Sequence, residues 1–100
     1  MANSISGAHG AIAVGTKAVT TAGTRVALST GGLYRSLTIV AYDNNTGRIY
    51  VGGADVASTT HRGLAAADSV TFTTDKGIDL SDVYLDASVS GESVDFYAST

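Results

Sequence analysis

An all-β fold, one small antiparallel β-sandwich of seven or eight short strands, is what this sequence predicts, and three observations predict it. Apolar and polar residues alternate with period two through 37–53 and again from 69 to 98, the pattern of strands that bury one face. Clusters of Gly, Asn, Asp and Ser interrupt the alternation about every ten residues, the turn spacing of a sandwich. Ala, Ser, Thr, Gly and Val dominate, and no long stretch carries helical periodicity. Such residues favour pleated sheets whose backbones approach closely.

Taken in order, residues 1–10 (MANSISGAHG) are small and polar without alternation. They are expected to form a flexible N-terminal arm ahead of one domain over 11–100. Residues 11–14 suit a short strand with Ile12 and Val14 inward, stopped by a Gly15-Thr16 turn. Residues 17–21 are expected to pair with 24–29 across Ala22-Gly23, a tight hairpin turn, with Val26 and Leu28 on one face. Thr30, Gly31 and Gly32 break the pattern.

The clearest unit follows. Leu37, Ile39 and Ala41 share one face and Thr38, Val40 and Tyr42 the other; after Asp43-Asn44-Asn45-Thr46-Gly47, Ile49 and Val51 resume the apolar face opposite Arg48 and Tyr50. This reads as a hairpin of 33–42 with 47–52, and it needs a second sheet to cover its apolar side. Residues 54–68 are the least regular, a polar loop with one helical turn expected at most, over 64–67. Residues 69–74 alternate with Val70 and Phe72 inward, and Asp75-Lys76-Gly77 suits a turn. Residues 78–81 lead into 82–89, where Val83, Leu85, Ala87 and Val89 share a face. After Ser90-Gly91-Glu92, residues 93–98 close the fold with Val94 and Phe96 inward. The expected core is Val70, Phe72, Leu85 and Phe96, and the sandwich is of jelly-roll or immunoglobulin-like type.

Composition narrows the function. One hundred residues, 44% of them hydrophobic, allow one domain with one modest core. The apolar runs are only a few residues long, so no membrane span is expected, and no leader peptide is visible. Without cysteine there is neither a disulfide nor thiol chemistry, and a small core without disulfides gains from oligomerisation. Proline is also absent, so the 12 glycines must supply the turns. The net charge of −3 disfavours nucleic acid as a partner. The charge is uneven: all six basic residues lie between Lys17 and Lys76, and beyond them stand only Asp79, Asp82, Asp86, Glu92 and Asp95. Such asymmetry suits a basic partner surface or ordinary solubility.

Chemistry-bearing patterns are sparse. His9 and His61 are the only histidines, and no nucleophile elbow accompanies the many serines. Asp43-Asn44-Asn45 and Asp79, Ser81 and Asp82 are oxygen-rich, as a calcium site would be, but these are also ordinary turn residues and the EF-hand spacing is missing. Asn44-Asn45-Thr46 fits a glycosylation sequon. Gly52, Gly53 and Gly63 are not followed by the Lys-Ser/Thr of a phosphate loop, and no basic–aromatic interleaving suits RNA. No catalytic, cofactor-binding or metal residue is therefore assigned. Tyr42, Tyr50, Tyr84 and Tyr97 stand at the parity opposite to the apolar set of their strands. Tyrosine there stabilises cross-strand pairs, or serves an interface where the ring packs and the hydroxyl stays hydrogen-bonded.

Three strings, NNTGRIYVGGADV (44–56), HRGLAAADSVTF (61–72) and DLSDVYLDASVSGESVDFYA (79–98), together resemble a family of small virion proteins of tailed bacteriophages. The resemblance rests on an NTG-x-IYVGG hairpin, an RGL loop, an SVTF strand and a DLSDVYLDA ending. It covers about residues 34–98, leaves the first 33 uncovered and marks turns and core strands rather than an active site. It implies a structural protein of the particle, without enzymatic activity or cofactor, assembled into virions in the host cytoplasm. A capsid decoration or cement protein, trimeric and bound to the major capsid protein, is the expected form. A neck, tail or baseplate component fits the same strings. The residues expected at the interface are Ser4, Ile5 and His9 of the arm, His61 and Arg62 of the 54–68 loop, and Tyr42, Tyr50, Tyr84 and Tyr97. Two other classes stay open: a carbohydrate-binding module that stacks sugars on the outward tyrosines, and a small enzyme, which would need a cleft with converging polar groups.

Overall fold

In a computed structural model of the chain, which describes residues 12–57 and 62–100, seven strands form. They are β1 (Ile12–Val19), β2 (Val26–Ala27), β3 (Leu33–Ala41), β4 (Ile49–Gly52), β5 (Ser69–Asp79), β6 (Tyr84–Ala87) and β7 (Glu92–Ser99). The expected arm at 1–10 lies outside the described residues. The strands make two antiparallel sheets, one of four strands in the order β1-β7-β3-β5 and one of three in the order β2-β6-β4. The all-β sandwich expected from the alternation is thus the observed architecture.

Successive strands always lie in different sheets, so no strand pairs with its neighbour in sequence. Both expected hairpins are therefore absent. β1 pairs with β7, in register from Ile12 opposite Ser99 to Val19 opposite Glu92, and β2 pairs with β6. β3 pairs with β5 and β7, while β4 pairs with β6. The 43–47 segment crosses between sheets because its polar groups bond the 88–93 region rather than β3. Asn45 Nδ2 donates to Ser93 O at 3.0 Å and Asn45 Oδ1 accepts from Ser93 N at 3.1 Å. The Glu92 carboxylate accepts from Thr46 N at 3.3 Å and from Gly47 N. The turn-rich string does break the strand, but its polar groups are satisfied far along the chain and not within a local hairpin.

The core lies between the sheets. Leu37, Ile39 and Ala41 of β3 and Val94, Phe96 and Ala98 of β7 face Ile49 of β4 and Leu85 and Ala87 of β6, with Val19, Leu28 and Leu80 closing the ends. Leu85 and Phe96 are buried as expected, and Val70 packs half-buried against the cluster. Phe72 does not belong to it: the ring is 39% exposed. Its inward parity is right, since it sits opposite buried Leu37. But β5 is the outer strand of a four-stranded sheet covered by only three strands, so its side chains overhang.

β1 departs most from expectation. It runs without a turn through Gly15 and Thr16, and Ile12 and Val14 point outward, 78% and 63% exposed. The parity is set by Phe96, which lies opposite Gly15; a Cβ on Gly15 would stand 2.5 Å from Phe96 Cζ. The aromatic ring needs the one position without a side chain, and the larger apolar residues on either side are turned to the other face.

Three smaller corrections share one cause, that tertiary contacts carry a strand past a turn signal or end it early. Asp75, Lys76 and Gly77 form no turn but a bulge inside β5, between the Ser36–Thr73 and Tyr34–Ile78 pairs. Val89 is 41% exposed because β6 ends at Ala87, where Ser88 N donates to Arg48 O. Over 64–68 there is a bridge and a turn rather than a helical turn: Leu64 exchanges two backbone bonds with Ile49, and Ala65 and Asp68 bond each other. Residues 58–61 lie outside the described residues.

Candidate interaction surface

The four tyrosines singled out in the sequence all leave the core side of their strands, but the fold divides them between two opposite outer faces. Tyr50 and Tyr84 stand on the three-stranded sheet, where Tyr50 pairs with Asp86 and Gly52 with Tyr84. Tyr42 and Tyr97 belong to the four-stranded sheet, where Tyr97 lies between Val14 of β1 and Thr38 of β3. They do not form one patch.

Loops roof the first of these faces. The Ile49–Leu64 bridge lays the 62–65 segment along the free edge of β4, with Gly63 beside Tyr50. Gly63, in the left-handed region at φ 77°, lies so close that a Cβ would stand 2.6 Å from Tyr50 Cε2. Tyr50 is accordingly buried, at 7% exposure. Its expected place at an interface gives way to a buried place against Gly63. Asp86 is covered from the other side: its Oδ1 accepts from Gly23 N at 2.9 Å, tying the 20–25 connection down, and from Ala87 N at 2.8 Å. Asp86 is 2% exposed. Tyr84 is half-buried beside this roof, and Arg62 is exposed at its rim. Ser4, Ile5, His9 and His61 lie outside the described residues.

The outer face of the four-stranded sheet is open. Its rows are built from small hydroxyls and a few larger groups: Val14, Tyr97, Thr38 and Thr71 in one, Thr16, Asp95, Val40 and Ser69 in the next. Tyr97 is 48% exposed, and with Ile12 and Val14 it makes an apolar patch at the β1 side. The polar groups are tied sideways to one another. Tyr42 OH donates to Thr16 Oγ1 at 3.4 Å, Thr16 Oγ1 donates to Asp95 Oδ1 at 2.8 Å, and the Thr38 and Thr71 hydroxyls meet at 3.0 Å. These cross-strand pairs stiffen the surface and hold Tyr97 on a flat platform.

No protein-family model, curated protein or solved structure matches this chain.

The surface must therefore be understood from its own chemistry. The C-terminal run of carboxylates does not act as one acidic face, since Asp86 and Glu92 are buried and bonded to backbone N–H groups. Asp79 accepts from Ser81 Oγ at 2.7 Å and Ser81 N at 2.9 Å, capping the 3-10 helix Leu80–Asp82. The hydroxyl bond, with the backbone bond behind it, lowers the Asp79 carboxyl below its ordinary value of 3.8. The oxygen-rich turns singled out in the sequence are thus used as caps and clamps. Among the described residues no three His, Cys, Asp or Glu side chains converge to hold a metal ion. A groove of about 440 Å³ opens where β5 overhangs β4, with Phe72, Ile78, Val51 and Val83 in its walls and Asp82 as its titratable group. Among the described residues no helix is long and apolar enough to cross a membrane.

The exposure of Ile12 and Val14 escaped sequence reasoning, although a signal was present. In Ile12-Ala13-Val14-Gly15 the even residues are large and the odd ones tiny. That pattern marks an apolar outer stripe as well as an inner one when an aromatic partner takes up the space above the glycine.

Proposed function

We propose that this protein is a structural component of a tailed-bacteriophage particle. It acts without chemistry as a decoration protein that docks on the outer capsid through the open face of its four-stranded sheet. The observation that carries the docking surface is the exposed, cross-bonded platform around Tyr97, flanked by Val14 and Thr38. A preordered sheet loses little entropy on binding, and a half-exposed tyrosine is a common interface anchor. The particle itself is suggested by the resemblance over residues 34–98, whose three strings fall on β4–β7 and their connections. A shell under internal genome pressure is strengthened by anything that bridges neighbouring subunits. Repeated weak contacts on a symmetric shell add up to tight retention. The burial of Tyr50 argues against the carbohydrate-binding alternative, since it removes one of the stacking platforms that such a module would use.

Deletion of the protein from the phage, followed by heat and low-salt challenge, tests this. The expected outcome is particles that assemble but lose heat tolerance. Purified protein added back restores that tolerance and saturates at a stoichiometry set by capsid symmetry, whereas Tyr97→Ala binds more weakly. Particles of unchanged heat tolerance that lack tails would overturn the decoration role in favour of the neck or tail.

A further inference from the structure

The two edges of the four-stranded sheet, β1 and β5, are built differently. Alternate residues of an edge strand turn their backbone N–H and C=O groups away from the sheet. On β7, Ser93 O accepts from Tyr42 N, which directs the odd-numbered residues of β7 to β3 and the even-numbered ones to β1. Val19 O accepting from Gly91 N gives the same phase on β1. Ile12, Val14, Thr16 and Ala18 therefore present their backbone to a free edge among the described residues, and the same four carry their side chains on the open outer face. Along β5, a bulge with exposed Asp75 and Lys76 interrupts the edge, and bulges and edge charges are the usual barriers to edge pairing. β1 has neither. It keeps unbroken register over its eight residues, and its one charge, Lys17, stands at a core-side position.

We propose that β1 is the interface for a second copy of this chain, the two β1 strands pairing antiparallel about a two-fold axis at Gly15. With the axis there, Val14 lies opposite the partner's Thr16 and Ile12 opposite the partner's Ala18. Residues with a free backbone thus meet residues with a free backbone. Lys17 lies opposite the partner's Ala13, so no like charges face each other, whereas an axis at Lys17 would oppose two ammonium groups. The two Val14 side chains fall diagonally across the axis, and the exposed Ile12–Val14–Tyr97 patches of both copies become one. The chain's own strand supplies this register by symmetry, which an unrelated extended segment would do only by chance. Because β5 is obstructed, pairing closes at two copies instead of continuing into a fibre or closing as a ring of three. Two copies replace the three expected from the sequence. The pair joins the two open faces into one continuous surface, but it forms in the isolated protein, so its success or failure is independent of shell binding.

Sedimentation equilibrium of the purified chain tests the proposal. The wild type is expected at twice the 10.1 kDa chain mass across the micromolar range. Val14→Pro removes a free-edge donor while leaving the β1–β7 bonds intact, and Val14→Lys places two ammonium groups near each other across the axis. Each should raise the concentration for half-dissociation at least about tenfold, a change of about 1.4 kcal/mol, with cooperative unfolding retained. Thr73→Lys, on the β5 edge, should leave the mass unchanged. If Val14→Pro does not fold, Val14→Lys decides. A wild-type protein of one or three copies at high micromolar concentration, or a Val14→Lys protein that stays as dimeric as the wild type, overturns the proposal.

Discussion

The two outer faces of this sandwich start from similar materials and end in opposite states. Each carries tyrosines, an aspartate and small residues at the positions that point away from the core. On the three-stranded sheet, the 20–25 connection is tied to Asp86, the 62–65 segment packs beside Tyr50 at the β4 edge, and both side chains are buried. On the four-stranded sheet, Tyr97 stays 48% exposed, and the hydroxyls bond one another along the surface. The difference teaches that strand parity tells which side of a sheet a residue takes, and that connections decide whether that side meets solvent. An outward tyrosine is an interface candidate only where no loop returns across it.

The sharpest way to break this comparison is to truncate one tyrosine from each face. Tyr50→Ala should lower unfolding stability by about 3–5 kcal/mol, the range for deleting a buried aromatic ring. For a domain this size that approaches the whole stability. Equilibrium denaturation in urea reads the loss as a fall in midpoint at constant slope. A Tyr50→Ala protein as stable as the wild type would show that the 62–65 roof does not hold the ring.

A second, smaller effect tests the other half of that roof. Asp86→Ala leaves Gly23 N and Ala87 N without their acceptor in a covered site, which should cost about 1–3 kcal/mol. Asp86→Asn keeps a carbonyl oxygen at Oδ1 and should recover most of the loss. Amide hydrogen exchange at Gly23 gives the local readout: it should speed up in the alanine variant and stay slow in the asparagine variant.

On the open face, Tyr97→Ala should change stability by less than about 0.5 kcal/mol, as for a surface site without buried partners. The same substitution is expected to weaken docking, so stability and binding separate at Tyr97 and not at Tyr50. A large stability loss at Tyr97 would mean that the platform is part of the folding core.

The smallest expected effect concerns acid. Asp79 has a folded carboxyl value below its ordinary 3.8, chiefly because Ser81 Oγ donates to it. Its contribution is therefore fully present above the unfolded value and is lost as pH falls through the lower, folded one. Ser81→Ala should move the Asp79 titration midpoint upward, toward 3.8, as followed by carboxyl-carbon NMR. It should also shrink the part of the stability lost between about pH 5 and pH 2. An Asp79 midpoint unmoved by Ser81→Ala would remove the hydroxyl as its cause.

Legibility in the sequence followed a physical divide. Leu37, Ile39 and Ala41, Leu85 and Ala87, and Val94 and Phe96 were placed on core faces correctly, because period-two alternation is local and survives any choice of partner strand. The pairing of those strands was not legible. Asn45, Thr46 and Gly47 have the composition of a hairpin loop, yet Ser93 and Glu92, far along the chain, take up their polar groups. The candidate surface was half legible: Tyr97 and Tyr42 were assigned to an outer face, but nothing near Tyr50 in sequence announces that Gly63 will lie against its ring.

The sequence by itself determined the all-β class and the core sides of most apolar residues in the C-terminal two thirds, Val89 excepted, since each follows from backbone periodicity within a few residues. Tertiary structure alone decided that consecutive strands alternate between sheets, that Ile12 and Val14 turn outward beside a glycine lying under Phe96, and that one outer face is roofed and the other bare. Those outcomes depend on close packing between residues as distant in the chain as Ile12 and Ser99. Packing is set by shape in three dimensions, which a local pattern does not carry.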